Sequence, residues 1–116
     1  MTNEKFLEEI KNNFKEAYNL VCLKNKDYSK IGDPFSNFRS SLLINVDPRR
    51  AILIRICDKI ARISNLLDKE SSVKDDPITD DLLDCLNYFN ILKVWLDENK
   101  LKYGALIDKA IKDVSE

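Results

Sequence analysis

Residues 80–90 read DDLLDCLNYFN. Leu82, Leu83, Leu86 and Phe89 recur at the three- and four-residue spacing of an amphipathic helix, with Asp80, Asp81, Asp84, Asn87 and Asn90 set among them. Asp80 and Asp84 are one turn apart, and Asp81, Asp84 and Asn87 are three apart, so the polar groups form their own stripe beside the apolar one. Thr79 or Asp80 caps this helix. It is expected to continue to about Asn99, with a short amphipathic helix from Ala105 to Val114 after Gly104.

Upstream, Asp47-Pro48 is a strong helix start, with Asp as N-cap and Pro at the first helical position, where its missing N–H costs nothing. That helix is expected to reach about Glu70, burying Leu53, Ile56, Ile60, Ile63 and Leu67 and carrying Arg55, Asp58 and Arg62 on a neighbouring face. Phe6, Ile10, Phe14, Ala17 and Val21 trace a first helix with the same period. Between them, DYSKIGDPFSNFRSS breaks the pattern at Gly32-Asp33-Pro34 and reads as a long loop. DKESSVKDDP is a polar connection. No alternating strand is evident, so the expected fold is all-α: an antiparallel bundle of three long helices and a short C-terminal one.

A chain of 116 residues has room for one domain. Two glycines, three prolines and 44% hydrophobic residues fit a helix-rich globular chain. A net charge of -1 provides no global field for nucleic acid, and no nucleic-acid partner is expected. MTNEKFLEEIKNN lacks the apolar run of a signal peptide, and no stretch approaches the about 20 apolar residues that span a bilayer, so a cytoplasmic protein without a membrane partner is expected. Cys22, Cys57 and Cys85 are scattered among apolar neighbours and are expected to be buried thiols. Histidine is absent, which removes Ser-His and Cys-His nucleophile pairs and leaves carboxylates, with a hard metal ion, for any hydrolysis.

Three constellations admit two readings each. Asp80, Asp81 and Asp84 can coordinate Mg²⁺, an ion that prefers oxygen ligands and bridges to phosphates; alternatively, acids in a first helical turn simply meet the positive end of the helix dipole, which covers Asp80 and Asp81 better than Asp84. Asp58 is either a third metal ligand facing those acids, with Arg55, Lys59 or Arg62 on phosphate, or part of a surface ion-pair ladder. Lys24, Lys26, Lys30 and Arg39 lie near Tyr28, Phe35 and Phe38, a mixture suited to stacking a base and holding phosphate. Equally, Phe35 and Phe38 can plug the end of the bundle.

The ordered fragments KDY, NF, DKIARISNLL and DDLLDCLNY, spread over residues 24 to 92, resemble the phage-type branch of the MazG-like all-α nucleotide pyrophosphohydrolase superfamily, close to the nucleotide modification associated domains. The resemblance implies a helical bundle assembled as a dimer or tetramer, placed in the host cytoplasm if phage-encoded. It further implies a nucleotide ligand and, in catalytic members, Mg²⁺-promoted water attack that releases a nucleoside monophosphate and pyrophosphate. The family's Glu/Asp-x-x-Asp element maps onto Asp81 to Asp84, and its tyrosine onto Tyr88 beside Asn87. The partner helix departs from the pattern: where catalytic members carry Glu-Glu-x-x-Glu, Cys57 to Ala61 retains only Asp58.

Three functions follow as expectations. In an enzyme, Asp58 and Asp84 would be catalytic, with Asp58, Asp80, Asp81 and Asp84 on the metal. The substrate would be held by Lys26, Tyr28, Phe38, Arg39, Arg55, Lys59, Arg62, Asn87 and Tyr88. A non-catalytic binder would sequester a nucleotide or cyclic-nucleotide signal with the same groups. An interaction module would use the polar stripe for buried hydrogen bonds across an oligomer interface.

Overall fold

Asp47 does what its position before Pro48 dictates. Its carboxylate accepts the Arg49 backbone N–H at 2.8 Å, and its own carbonyl accepts from Ala51, which closes the first turn of a helix. In the computed structural model this helix, α3, spans Pro48–Leu67. The structure describes residues 1–28, 32–69 and 77–115, with side chains described at all of these except 26–28, 77, 101–108 and 115. Within it α1 is Asn3–Tyr28, α2 is the single turn Ser36–Arg39, a 3₁₀ segment follows at Ser40–Ile44, and α4 runs Pro77–Ser115. No strand occurs among the described residues.

Two expected boundaries are corrected. The third and final helices are one element of 39 residues, about 58 Å long, because α4 continues through Gly104. A helical glycine costs only about 1 kcal/mol relative to alanine, which its helix-forming neighbours Leu101, Lys102, Ala105 and Leu106 offset. The long loop also folds locally. Asp33 accepts the Phe35 N–H on its side chain at 3.0 Å and the Ser36 N–H on its carbonyl at 3.2 Å. Ser41 Oγ then lies 2.8 Å from the carbonyls of both Phe38 and Val46, sharing its one proton between them, and Asn45, at φ 58°, ends the 3₁₀ segment in the left-handed region that asparagine tolerates. The Asp33 and Ser41 side-chain bonds to backbone among these leave no trace in helical periodicity.

The main packing contact is α3 against α4. They run antiparallel: Lys59 reaches Asp84, and Arg62, three residues later, reaches Asp81, three residues earlier. Phe38, Ile52 and Ile56 form the core, with Phe35, Tyr88, Ile91 and Leu92 packed around them. The buried stripe of α3 is therefore rotated from the expected one. Ile52 and Ile56 are buried and Lys59 and Ile63 half-buried, whereas Leu53, Ile60 and Leu67 are exposed. The cause is the inward turn of Lys59 toward two aspartates, which sets a helical phase that apolar periodicity alone misassigns. α1 rests on α4 through its second half: Ala17 is buried and Val21 half-buried, but Phe6, Ile10 and Phe14 are exposed. Cys22 and Cys57 are exposed and Cys85 half-buried, a correction to the expectation of buried thiols.

The Cα radius of gyration is 18.7 Å, against about 13 Å for a compact chain of this length. Long helices that extend past their partners account for the difference. No helix among the described residues is long and apolar enough to cross a membrane.

Candidate functional site

The α4 stripe turns its acids inward. Asp81 is 2% exposed, and Asp84 and Asn87 are also buried, one and two turns further along the same face. Carboxylates in such surroundings need cations, and the neighbouring helices provide them. Lys24 of α1 donates to Asp84 Oδ1 at 2.8 Å. Lys59 of α3 lies between the two acids, 3.0 Å from Asp84 Oδ2 and 3.4 Å from Asp81 Oδ1. Arg62 Nε stands 3.4 Å from Asp81 Oδ2, an oxygen that is buried and accepts no hydrogen bond.

The electrostatic effect is reciprocal. Hydrogen bonding to Asp84 raises Lys59 above the usual lysine range in spite of its burial, with the charge of Asp84 and the contact to Asp81 adding to the effect. Burial would push Asp84 up, but hydrogen bonds from Lys24 and Lys59, and their charges, hold it below the usual aspartate range. The Cys85 thiol is pushed up, first by burial and then by the Asp81 and Asp84 charges. It is a poor nucleophile.

Beside the acids, α1, α2 and α4 enclose a groove of about 720 Å³. One wall is apolar, from Phe14, Ala17, Val21, Ile91 and Val94, and aromatic at Phe35, Phe38 and Tyr88. Phe38 and Tyr88 meet edge to face at 6.4 Å. The polar rim carries Lys24, Asn25, Asn37, Arg55, Asp84, Asn87 and Asn90. Arg55 lies over the Phe38 ring at 5.0 Å, and no carboxylate pairs with it among the described residues.

The structure thus brings together Asp81, Asp84, Lys59, Arg62, Asn87, Tyr88, Phe38 and Arg55 of the residues expected from sequence. It does not bring Asp58 or Asp80 to them. Both are exposed, and among the described residues no three acid or thiol side chains converge as a metal set. Asp80 sits in the first turn of α4, where the dipole favours it without a ligand. Arg39 turns elsewhere, donating to Asp33 at 2.8 Å and stacking 4.9 Å from the Trp95 ring. The side chains of Lys26 and Tyr28, and the whole of Lys30, lie outside the described residues.

Lys24 is the residue whose weight periodicity understated. It continues the buried phase of α1, Ala17, Val21, Lys24, at steps of four and three, so its position on the inner face is visible once that phase is fixed. Asn25, Asn37 and Tyr18 had no comparable signal, because they line one groove only once separate elements of the chain are assembled around it. Comparison with family models, curated proteins and solved structures finds no match.

Proposed function

We propose that the groove binds a nucleotide and that the protein captures its ligand rather than hydrolysing it. The observation that carries this is the pairing, in one groove, of an aromatic wall at Phe35, Phe38 and Tyr88 with two cations at its rim: Arg55, which no carboxylate pairs among the described residues, and Lys24, whose ammonium also bonds Asp84. A base has a π-face for the rings, a phosphate has oxygens for an ammonium and a guanidinium, and Asn87 and Asn90 offer amide donors and acceptors to base or sugar edges. The volume lies within the range of small-molecule sites. The balance favours capture because the residues do not fit the Mg²⁺ centre that the MazG-like resemblance implies: Asp81 and Asp84 already hold two ammonium groups, and Asp58 is not beside them.

A second reading, Mg²⁺-dependent release of a nucleoside monophosphate and pyrophosphate, draws on Asp81 Oδ2, which is buried and accepts no hydrogen bond. Mass spectrometry separates the two readings. The protein is incubated with Mg²⁺ and a panel of linear and cyclic nucleotides, and both the solution and the material released on denaturation are analysed. Intact nucleotide recovered only from the denatured protein is the expected result. Monophosphate and pyrophosphate accumulating in solution would replace capture by hydrolysis, and no retained nucleotide and no product would reject both.

Assembly with further copies belongs to the same proposal. Leu53, Ile60 and Leu67 fall seven residues apart on exposed α3, and Phe6, Ile10 and Phe14 form a second exposed apolar stripe on α1. Such faces on a chain this extended are suited to a homo-oligomer.

A further inference from the structure

We propose that the Lys59 ammonium is the resident cation of the Asp81–Asp84 pair, so that the groove takes an anionic ligand without a divalent metal. The first half of this stands by itself; the second rests on the nucleotide reading. Lys59 comes from the middle of α3, and its side chain is 21% exposed, so it is committed inward rather than resting on the surface. Its Nζ is within 3.4 Å of both carboxylates, the place from which one positive centre neutralises two acids. Lys24 and Arg62 flank the same acids, so cations outnumber carboxylates at this spot. A dication added here would lie against two ammonium groups. Asp81 Oδ2 is buried and accepts no hydrogen bond, with Arg62 Nε 3.4 Å away, so it is the carboxylate oxygen with lone pairs left to offer once the ammonium is removed.

Side-chain lengths make this reversible by design. A glutamate at position 59 carries its carboxylate oxygens about where lysine carries Cε, and a small dication binds oxygen at about 2.1 Å. The ion would then fall close to the present Nζ position, within reach of Asp81 and Asp84. Lys59→Glu therefore replaces an internal cation by an external one, and three carboxylates converge where two acids and an ammonium now meet.

The test uses Mn²⁺ alone, followed by electron paramagnetic resonance or calorimetry on the full chain, with helicity and a cooperative melt checked for each variant. Wild type is expected to show no saturable Mn²⁺ binding, and Lys59→Glu to gain a saturable site that Asp84→Asn in the same background removes. Saturable Mn²⁺ binding by wild type that Asp84→Asn removes would overturn the proposal, as would a folded Lys59→Glu protein with no gain. If Lys59→Glu does not fold, the wild-type titration decides by the same criterion. ATP is then titrated into wild type with Mg²⁺ or with EDTA. Equal affinity supports metal-free binding, and an absolute Mg²⁺ requirement overturns it. Absence of ATP binding in both solutions counts against the nucleotide reading and leaves the assignment of Lys59 to the Mn²⁺ result.

Discussion

Replacing Lys59 by methionine keeps the bulk of the side chain and removes the charge that joins Asp81 to Asp84. The cost can be worked from the contacts. Removing one partner of a fully buried ion pair costs about 3–5 kcal/mol, because an uncompensated charge stays behind. Here Asp84 keeps Lys24 at 2.8 Å and Asp81 keeps Arg62 at 3.4 Å, so the loss is smaller. One charge-assisted hydrogen bond at 3.0 Å and one longer contact amount to about 2–3 kcal/mol. With an unfolding entropy of about 2.1 cal/mol/K per residue, that lowers the Tm by roughly 8–12 °C.

Lys24→Met is the internal control. Lys24 is 48% exposed, and its loss leaves Asp84 bonded to Lys59, so about 1 kcal/mol and roughly 4 °C are expected. The assay is thermal and urea denaturation of both variants at one fixed protein concentration, because a folded oligomer makes Tm concentration-dependent. A Lys59→Met protein no less stable than Lys24→Met would refute the claim that Lys59 is the central cation. The double variant Asp84→Asn/Lys59→Met should lose less than the sum of its single changes, since the two groups interact directly.

Three further outcomes are expected. Asp84 is depressed in the folded state, so its stabilising contribution is present above the unfolded aspartate value and is lost as pH falls through the lower folded value; Lys59 is raised, so its contribution is present below the unfolded lysine value and is lost as pH rises through the higher folded one. Stability measured against pH should therefore fall at both ends, with Asp84→Asn flattening the acid limb and Lys59→Met the alkaline limb. Arg55→Ala should weaken ATP binding about 10- to 100-fold by calorimetry, the value of one charge-assisted phosphate contact, with little change in Tm because Arg55 is exposed. Ile60→Glu, on the exposed apolar face of α3, should lower the mass observed by light scattering without loss of helicity.

The elements were legible in the sequence wherever a local signal set them. Asp47-Pro48 marks the start of α3, and the spacing of Leu82, Leu83 and Leu86 marks α4, because capping and period are properties of adjacent residues. Gly104 misled for the converse reason: a residue that often ends helices is tolerated inside one when no other stop signal accompanies it. α2 and the 3₁₀ segment were hidden because their bonds run from Asp33 and Ser41 side chains to backbone, leaving no periodic trace.

The acids of DDLLDCLNYFN answer to partners on other helices, and there the sequence informs only in part. Helical spacing puts Asp81, Asp84 and Asn87 on one face, which the structure bears out, but spacing within α4 contains nothing about what α3 turns toward it. Asp58 and Lys59 are adjacent, about 100° apart around the helix; the expected apolar stripe leaves Asp58 on the far side and puts Lys59 only at its edge, so the inward turn of Lys59 did not stand out. Had Ile52 and Ile56 been taken as the buried pair, the next inward positions would have been Lys59 and Ile63, and a lysine facing two aspartates would have been the expectation. Burial at Ile52 and Ile56 fixes the phase that turns Lys59 toward Asp81 and Asp84, and the acid pair is closed by an ammonium from the facing helix.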